Sequence, residues 1–214
     1  MNKWILGFFM LFLTGCAGRE IRAVPEGPAS GQASGANTPQ AGPAPTEGIP
    51  VATPEEIAVK LDNYGPAPEL TNEVWLNTDE PLRLAELRGK VVLLEMWTFG
   101  CINCKHVIPS LRDWYEKYEP EGLVVIGNHY PEFDYEKELD LLKQAVNQLE
   151  VKYPVAQDND GKTWRAYDNR YWPTLYLIDK RGDIRYKHIG EGRYTVTEAA
   201  IQALLAEPYE QYKD

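Results

Sequence analysis

The most constraining feature of this chain is a pair of cysteines placed between a predicted strand and a predicted helix. Residues Val91–Trp97 form a nearly unbroken apolar run, which is typical of a strand buried on both faces. Cys101 and Cys104 follow at once, and the segment from Cys101 to about residue 118 is predicted to be helical. The chain has one other cysteine, Cys16, so no pair of thiols is left for a separate structural disulfide.

The position of this pair predicts redox chemistry. A thiol in the first turn of a helix faces unpaired backbone N–H groups and the positive end of the helix dipole, and both favour the thiolate. Such effects can lower the pKa of a cysteine from about 8.5 to between about 3.5 and 7.5, so we predict that Cys101 is the attacking sulfur. Cys104 lies one turn further along the helix, where it would close a disulfide with Cys101 as the resolving thiol.

Three other uses of the pair fit the sequence less well. A zinc site needs two further ligands at short spacing. The three histidines are scattered along the chain, and the one other cysteine, Cys16, is far away in sequence, so no metal site is predicted. Haem attachment requires a histidine directly after the second cysteine, where this chain has Lys105. A purely structural disulfide closing so small a loop would restrict the unfolded chain little. His106 and His188 are interpreted as surface residues.

Glu95 is the only ionisable residue in the apolar run and precedes Cys101 by six positions. Burial would raise its pKa, so that it could accept the proton of Cys104 when that thiol attacks a mixed disulfide. The alternative is a strand in which the Glu95 side chain reaches solvent. His129 follows the next strand and is interpreted as a loop histidine, with tuning of Cys101 as the alternative.

The remaining pattern indicates an α/β domain. We predict a short strand or hairpin around residues 75–77, a buried strand over residues 123–127, and a hairpin joining residues 175–178 to 184–188. An apolar stripe predicts one amphipathic helix: Tyr135, Leu139, Leu142, Val146 and Leu149. Thr195 and Glu198 form a predicted capping box for a last helix that buries Val196, Ala200 and Leu204. This order gives a mixed sheet with helices on both faces.

The first residues carry an export pattern, because Lys3 precedes an apolar stretch too short to span a bilayer as a permanent helix. We predict a signal peptide over residues 1–15. The boundary Leu-Thr-Gly-Cys16 resembles the lipobox of bacterial lipoproteins, which implies a lipid on Cys16 and an extracytoplasmic, membrane-anchored protein of the cell envelope. An ordinary cleaved signal or an uncleaved membrane helix are the alternatives.

Composition divides the rest of the chain. Residues 16–54 are dominated by Pro, Gly, Ala, Ser and Thr and are predicted to be a disordered linker behind the lipidated Cys16. Residues 55–214 are predicted to form one domain. The net charge of −10 excludes a basic footprint for phosphates, so we do not expect nucleic acid as a partner.

Several ordered motifs over residues 91–205 resemble the TlpA-like branch of the thioredoxin superfamily, and the DipZ-like domains most of all. These motifs are Met-Trp-Thr at residues 96–98, Cys-Ile-Asn-Cys at 101–104, Asn-Asp at 159–160, Thr-Trp-Arg-Ala-Tyr at 163–167, Tyr-Trp-Pro at 171–173 and Tyr-Leu-Ile-Asp at 176–179. The resemblance implies a thioredoxin-like fold over residues 55–214. Several motifs in one order are more specific than a CxxC alone.

The resemblance also implies roles for individual residues. Cys101 matches the family nucleophile, Cys104 the resolving thiol and Glu95 the buried acid, while Pro109 matches the proline within the active-site helix. Pro173 matches the cis-proline beside the disulfide, where the preceding residue pairs with a substrate peptide. That residue is Trp172, which is bulkier than its usual counterpart and leaves the substrate range open. We also expect four aromatic residues to form a rim that binds an unfolded client, with packing in the core as the alternative. These residues are Trp97, Phe99, Tyr171 and Trp172.

Together these features predict a membrane-anchored thiol:disulfide oxidoreductase that reduces disulfides of exported proteins. By resemblance, a membrane thiol–disulfide donor would supply electrons. The sequence shows no nicotinamide or flavin motif, so we expect no cofactor, and we expect a monomer. Two alternatives stay open: a thiol peroxidase with a lone reactive cysteine in a pocket of threonine and arginine, and a copper-handling protein that uses His129 as a ligand. The direction of the redox reaction is not readable from the residues between the cysteines.

Overall fold

The computed structural model describes residues 59–209. The predicted signal peptide, the linker and the lipid site at Cys16 lie outside the described residues, as do the first and last few residues of the predicted domain. Among residues 59–209, no helix combines the length and the apolar character that crossing a membrane requires.

The centre of the fold is a mixed sheet of six strands: β1 (Val74–Leu76), β2 (Val91–Trp97), β3 (Leu123–His129), β4 (Val155–Gln157), β5 (Thr174–Ile178) and β6 (Ile184–Ile189). Their order across the sheet is β1-β4-β3-β2-β5-β6. The inner pairs β2–β3 and β3–β4 are parallel, whereas β1–β4, β2–β5 and β5–β6 are antiparallel.

Within residues 59–209, four α-helices cover this sheet: α1 (Ile102–Tyr118), α2 (Leu139–Gln148), α3 (Lys162–Ala166) and α4 (Tyr194–Ala206). Alternate residues of β2 divide the core, because successive side chains of a strand point to opposite faces. Val91, Leu93 and Trp97 pack in one cluster with α1, α2 and α4. Val92, Leu94 and Met96 pack in the other with Trp164 of α3 and with residues that precede β2. The predicted α/β sheet with helices on both faces is confirmed.

All seven residues of β2 are buried, as the apolar run predicts. Trp97 at the end of β2 lies in register with His129 at the end of β3, and Met96 pairs with Thr174 at the start of β5. The segment that leads into α1, the end of β3 and the beginning of β5 therefore meet at one edge of the sheet. Ligand and active sites of α/β sheets form at this carboxyl edge of the parallel strands.

Two local predictions are wrong. The stripe from Tyr135 does not form one helix, because Tyr135 lies in a separate 3₁₀ turn (Asp134–Lys137) and is 51 % exposed. The capping box also fails, because α4 begins at Tyr194 and its N-cap is Arg193, which makes no side-chain cap. Thr195 therefore stands inside the helix. Glu198 instead accepts hydrogen bonds from Lys117 Nζ and the Tyr118 hydroxyl, each at 2.7 Å.

The antiparallel hairpin of β5 and β6 is confirmed, as are the strand near residue 75 and the start of α1. β1 is not part of a hairpin; it pairs with β4, which comes about eighty residues later. The last helix buries Ala200 and Leu204 as predicted, while Val196 is only half-buried. β4 and α3 are short elements that the sequence pattern did not predict.

Candidate active site

Cys101 stands at the N-cap of α1, with extended backbone angles (φ −74°, ψ 121°). Its Sγ accepts a hydrogen bond from the backbone N–H of Cys104 at 3.4 Å, and its own N–H donates to the Thr98 carbonyl at 3.2 Å. The sulfur therefore faces the first N–H groups of the helix, at the positive end of its dipole. Cys101 is half-buried, so its thiol can be reached from solvent.

Cys104 occupies the next turn of α1 and is fully buried. Burial raises the pKa of its thiol well above the ordinary value, and the nearby negative charge of Glu95 raises it further, while the Thr98 backbone acts in the opposite direction. Both cysteines are free thiols in this structure. The pair thus combines one accessible sulfur with one that stays protonated until a base removes its proton.

Glu95 lies in the middle of β2 and its side chain has 0 % exposure. The alternative in which this side chain reaches solvent is wrong. Desolvation raises its pKa from 4.5 to about 8, and the Tyr153 hydroxyl offsets part of that rise. Neither carboxylate oxygen forms a hydrogen bond, and the buried Tyr153 hydroxyl is also without a partner among residues 59–209. Glu95 and Tyr153 therefore interact electrostatically, without a well-formed hydrogen bond.

Gly127 leaves space for the side chains that pack next to Glu95. It lies opposite Glu95 in the neighbouring strand β3. A Cβ atom at Gly127 would lie 2.8 Å from Trp97 Nε1, so any larger residue would push the Trp97 ring away, whereas Tyr153 Cε2 at 3.4 Å would be in ordinary van der Waals contact. Tyr153 was missed from the sequence. An apolar alternation at residues 151–155 is the signal that would have placed it in or beside a strand.

His129 is not a loop residue. It ends β3, is fully buried, and stacks on Phe99 with ring centres 5.3 Å apart. Burial lowers its pKa to about 4, against a smaller raising effect of Glu136, so the ring is neutral at physiological pH. Its Nε2 lies 3.3 Å from the Thr98 hydroxyl. Thr98 thus connects His129 to the active site, because its carbonyl accepts the Cys101 N–H.

The predicted aromatic rim is only partly present. Trp97 has 0 % exposure, because it ends β2 on the face that α1 covers, and it cannot contact a client. Phe99 and Trp172 are half-buried, and Tyr171 is 57 % exposed. Trp172 packs against Trp164 with ring centres 4.5 Å apart and donates from Nε1 to the Tyr130 carbonyl at 3.1 Å, so its ring is fixed.

The Trp172–Pro173 peptide bond is cis, as the resemblance implies. Pro173 itself is buried, and its carbonyl accepts the N–H of Gly190 at 2.8 Å. The bond precedes β5 directly, and Thr174 pairs with Met96 of β2. This segment therefore lies at the same edge of the sheet as the start of α1. Pro109 lies within α1 and is exposed.

The other histidines do not join the site. His106 is exposed, as predicted, and its Nδ1 lies 3.0 Å from Glu191. His188 is half-buried rather than on the surface, and burial lowers its pKa. Within residues 59–209, no group of three or more histidine, cysteine or acidic side chains is close enough together to hold a metal ion. The accessible Cys101, the buried Cys104 and the buried Glu95 are suited to thiol chemistry.

Comparison with known proteins agrees with the geometry. The chain matches the AhpC/TSA family over residues 65–187. It is 45 % identical to the protein DipZ of Mycobacterium tuberculosis over 151 aligned residues. The alignment covers 69 % of this chain and 22 % of DipZ. The chain thus spans about a fifth of the length of that relative. It is 29 % identical over 143 residues to the thiol-disulfide oxidoreductase YkuV of Bacillus subtilis, covering 66 % of this chain and 95 % of YkuV.

A solved structure shows the same fold. The crystal structure of a thioredoxin-like superfamily protein is 33 % identical and superposes with a TM-score of 0.65, covering 68 % of this chain and 99 % of the other. The resemblance to the thioredoxin superfamily is therefore confirmed. The chain belongs to the AhpC/TSA family, and its described domain has a thioredoxin-like fold.

Proposed function

We propose that this protein is a membrane-anchored, extracytoplasmic enzyme that reduces disulfides of exported proteins through Cys101 and Cys104. One observation supports this more than any other: a half-buried sulfur at the N-terminus of α1 accepts a hydrogen bond from the residue that carries a second, fully buried sulfur. Behind the second sulfur lies the unpartnered carboxyl of Glu95. This is the arrangement that two successive thiol–disulfide exchanges need.

The first exchange takes place at Cys101. Its thiolate attacks one sulfur of the client disulfide, the client S–S bond breaks, and the leaving client sulfur takes a proton from solvent. The product is a mixed disulfide between Cys101 and the client. The N–H of Cys104, which points at Cys101 Sγ in the free enzyme, fixes the position of the attacking atom.

The second exchange takes place at Cys104. Its thiol proton passes to the ionised carboxylate of Glu95, and the resulting thiolate attacks Cys101 Sγ. The mixed disulfide breaks, the second client sulfur leaves as a thiolate that takes a proton from solvent, and the client departs as a dithiol while the enzyme retains a Cys101–Cys104 disulfide. Two electrons have then moved from enzyme to client. With a pKa of about 8, a part of the Glu95 population is ionised at neutral pH, which is the condition for a base of useful strength.

A membrane thiol–disulfide donor would return the two electrons. Such a donor suits a protein tethered through Cys16, because a lipid anchor keeps the domain within reach of the bilayer. The proposed location and anchor depend on the sequence around Leu-Thr-Gly-Cys16. Labelling of cells with a radioactive fatty acid tests the anchor: we expect label on the wild type and none on Cys16→Ser, which should leave the membrane fraction. Label on Cys16→Ser would contradict it.

The burial of Cys104 beside Glu95 favours disulfide exchange over a thiol peroxidase. The peroxidase alternative requires a lone reactive cysteine, whereas here a second, fully buried thiol lies one helical turn from Cys101, and the charge of Glu95 acts on that second thiol. The copper alternative depends on His129 as a ligand. Its Nε2 faces the Thr98 hydroxyl, which favours a packing role for the ring instead.

The enzyme activity is tested with the reduced protein and a peptide that contains one disulfide. We expect one mole of peptide dithiol per mole of enzyme in a single turnover, formation of the Cys101–Cys104 disulfide, and no peptide reduction by Cys101→Ser. Equal turnover by Cys101→Ser, or peroxide consumption that survives Cys104→Ser, would contradict the proposal. A redox titration then decides the direction, because a low reduction potential favours a reductase and a high one an oxidase.

A further inference from the structure

An exposed aromatic pair lies next to the active site and has no part in the thiol chemistry. Phe133 and Tyr135 are 52 % and 51 % exposed, and their rings are parallel within 6° with centres 5.9 Å apart. The Tyr135 ring also lies 5.9 Å from Phe99, whose ring stacks on the buried His129. A continuous series of rings thus leads from the core to solvent. We call Phe99, Phe133 and Tyr135 the aromatic ledge.

Only Gly100 separates Phe99, the first residue of the ledge, from Cys101. A Cβ atom at Gly100 would lie 3.0 Å from the Tyr135 hydroxyl and would collide with Glu136 Oε1. Residue 100 must therefore be glycine for the 3₁₀ turn to approach the nucleophile so closely. A client whose disulfide is attacked by Cys101 must pass beside this turn, because Gly100 directly precedes the sulfur.

Glu136 holds the turn in place. Its side chain is fully buried, and Oε2 accepts the backbone N–H groups of Glu132 at 2.6 Å and Phe133 at 3.1 Å. The other oxygen lies against Gly100 and has no hydrogen-bond partner in the described part of the chain. The backbone below Phe133 is therefore fixed relative to the loop that carries Cys101. A fixed surface can select a ligand at little cost in conformational entropy.

Negative charge surrounds the ledge. Glu132, Asp134 and Glu138 are exposed around the turn, and the one lysine of the turn, Lys137, pairs with Asp134 at 2.7 Å. No lysine or arginine of residues 59–209 forms an ion pair with Glu132. Desolvation raises the pKa of Tyr135, and the charges of Glu136 and Glu132 raise it further, which shows that these charges act on the ledge.

We propose that the aromatic ledge and Glu132 bind a lysine or arginine side chain close to the reacting cysteine of the client. A cation is attracted by the faces of exposed aromatic rings, and a carboxylate beside them adds to that attraction. The net charge of −10 also attracts basic clients over longer distances. The inference rests on the proposed function, since it names the class of client that the enzyme reduces: segments with basic residues around the disulfide.

The test compares disulfide peptides of equal length that differ only in whether lysine, serine or glutamate flanks the cysteines. We expect the reduced protein to show a kcat/KM roughly tenfold higher for the lysine peptide than for the glutamate peptide at low ionic strength, and a smaller ratio in high salt. Glu132→Gln and Phe133→Ala should each reduce this ratio severalfold.

The chain offers matched controls far from the ledge. Glu119 is exposed at the other end of α1, about 27 Å along the helix from Cys101. Tyr64 is an exposed aromatic residue whose N–H bonds to Ile184, at the opposite edge of the sheet. Glu119→Gln and Tyr64→Ala should therefore keep the wild-type ratio. Equal kcat/KM for the three peptides, or a ratio that survives the Glu132→Gln, Phe133→Ala double variant, would overturn the inference.

The two proposals fail in different ways. If the enzyme reduces all three peptides equally well, only the selection of basic clients is wrong. If it reduces neither the peptides nor a small synthetic disulfide, then both the proposed function and the inference that depends on it are wrong.

Discussion

Two groups of buried polar side chains in this domain differ in how their hydrogen bonds are satisfied. The first group, behind the active site, consists of Glu95, Tyr153 and Cys104. The carboxylate oxygens of Glu95 and the hydroxyl of Tyr153 have no hydrogen-bond partner in the described residues. The second group lies on the other side of the sheet and contains Asn72, Asn128, Asp158 and Thr163, all buried. In this second group the side chains bond to one another.

The bonds of the second group are specific. Asp158 accepts the N–H groups of Thr163 at 3.2 Å and Trp164 at 2.8 Å, and the side-chain amide of Asn128 at 3.1 Å. Thr163 donates from its hydroxyl to Asn72 at 2.7 Å, and Asn72 donates to Asn128 at 3.1 Å. These contacts connect α3 and the segment before β1 to β3. The satisfied group therefore stabilises the fold.

Burial raises the pKa of both carboxyls, but only Asp158 has hydrogen bonds that counteract the effect. Glu95 has no such bonds, and its pKa rises to about 8. An unsatisfied buried acid costs stability, and such groups persist where they have chemistry to perform. The comparison shows that burial alone does not distinguish the two carboxyls; the absence of hydrogen bonds and the nearby Cys104 single out Glu95 as the proposed base.

The largest effect should come from removing the resolving sulfur. Cys104→Ser leaves Cys101 able to attack but unable to release the client, so turnover should fall by roughly a thousandfold or more. A mixed disulfide of one client per enzyme should accumulate, which mass spectrometry under non-reducing conditions detects. Undiminished multiple turnover by this variant would mean that Cys104 does not resolve the intermediate.

The next prediction compares the carboxyls of Glu95 and Asp158 by the rate at which the mixed disulfide is resolved. Glu95→Gln keeps the shape but removes the base, so resolution of the mixed disulfide at pH 7 should slow by about a hundredfold. Rapid-quench kinetics measure this step directly. Asp158→Asn is the matched control, because it makes the same chemical change in the satisfied group; its resolution rate should match the wild type. Equal slowing in both variants would remove the distinction between the two groups.

Stability should show the same distinction through its pH dependence. The pKa of Glu95 is about 8 when folded against 4.5 in its ordinary state, so the folded protein holds this proton between pH 4.5 and 8 while the unfolded chain loses it. The free energy of unfolding should therefore fall as pH rises through this window, by about 3 kcal/mol at pH 7 relative to acid. Urea denaturation of reduced Glu95→Gln should lack this decline. A parallel decline in wild type and variant would contradict the assignment.

Loss of the satisfied carboxylate should have the smallest effect of the series. Asp158→Asn places an amide group against N–H donors of Thr163 and Trp164, so the free energy of unfolding should fall by about 2 kcal/mol. Urea midpoints at an unchanged slope measure this loss. Unchanged stability would show that the bonds of Asp158 contribute little, and the second group would then need another explanation.

The sequence pattern was sufficient for the parts of this molecule that local rules determine. A continuous apolar run predicts β2, the CxxC predicts the start of α1, and a single acid within the run predicts the burial of Glu95. The three-residue strand β4 was missed, because such a short element exists only through pairing with β1 and β3. Tyr153 was missed together with β4, because the apolar alternation that marks it covers only residues 151–155.

Other errors arose where a side chain had two plausible environments. Trp97 was predicted to line the client site, but it is fully buried because Gly127 in the neighbouring strand leaves space for its ring. His129 was predicted in a loop, but β3 continues two residues further than the apolar pattern and takes the ring into the core. Both outcomes depend on contacts between strands that are distant in sequence.

The central claim is that Glu95 carries a proton at neutral pH and exchanges it with Cys104. The most direct measurement is a carbon-13 NMR titration of the side-chain carboxyl of Glu95 in the reduced protein, with the signal assigned through its absence in Glu95→Gln. The account predicts a midpoint near pH 8. A midpoint below about 5, as in an exposed glutamate, would contradict it.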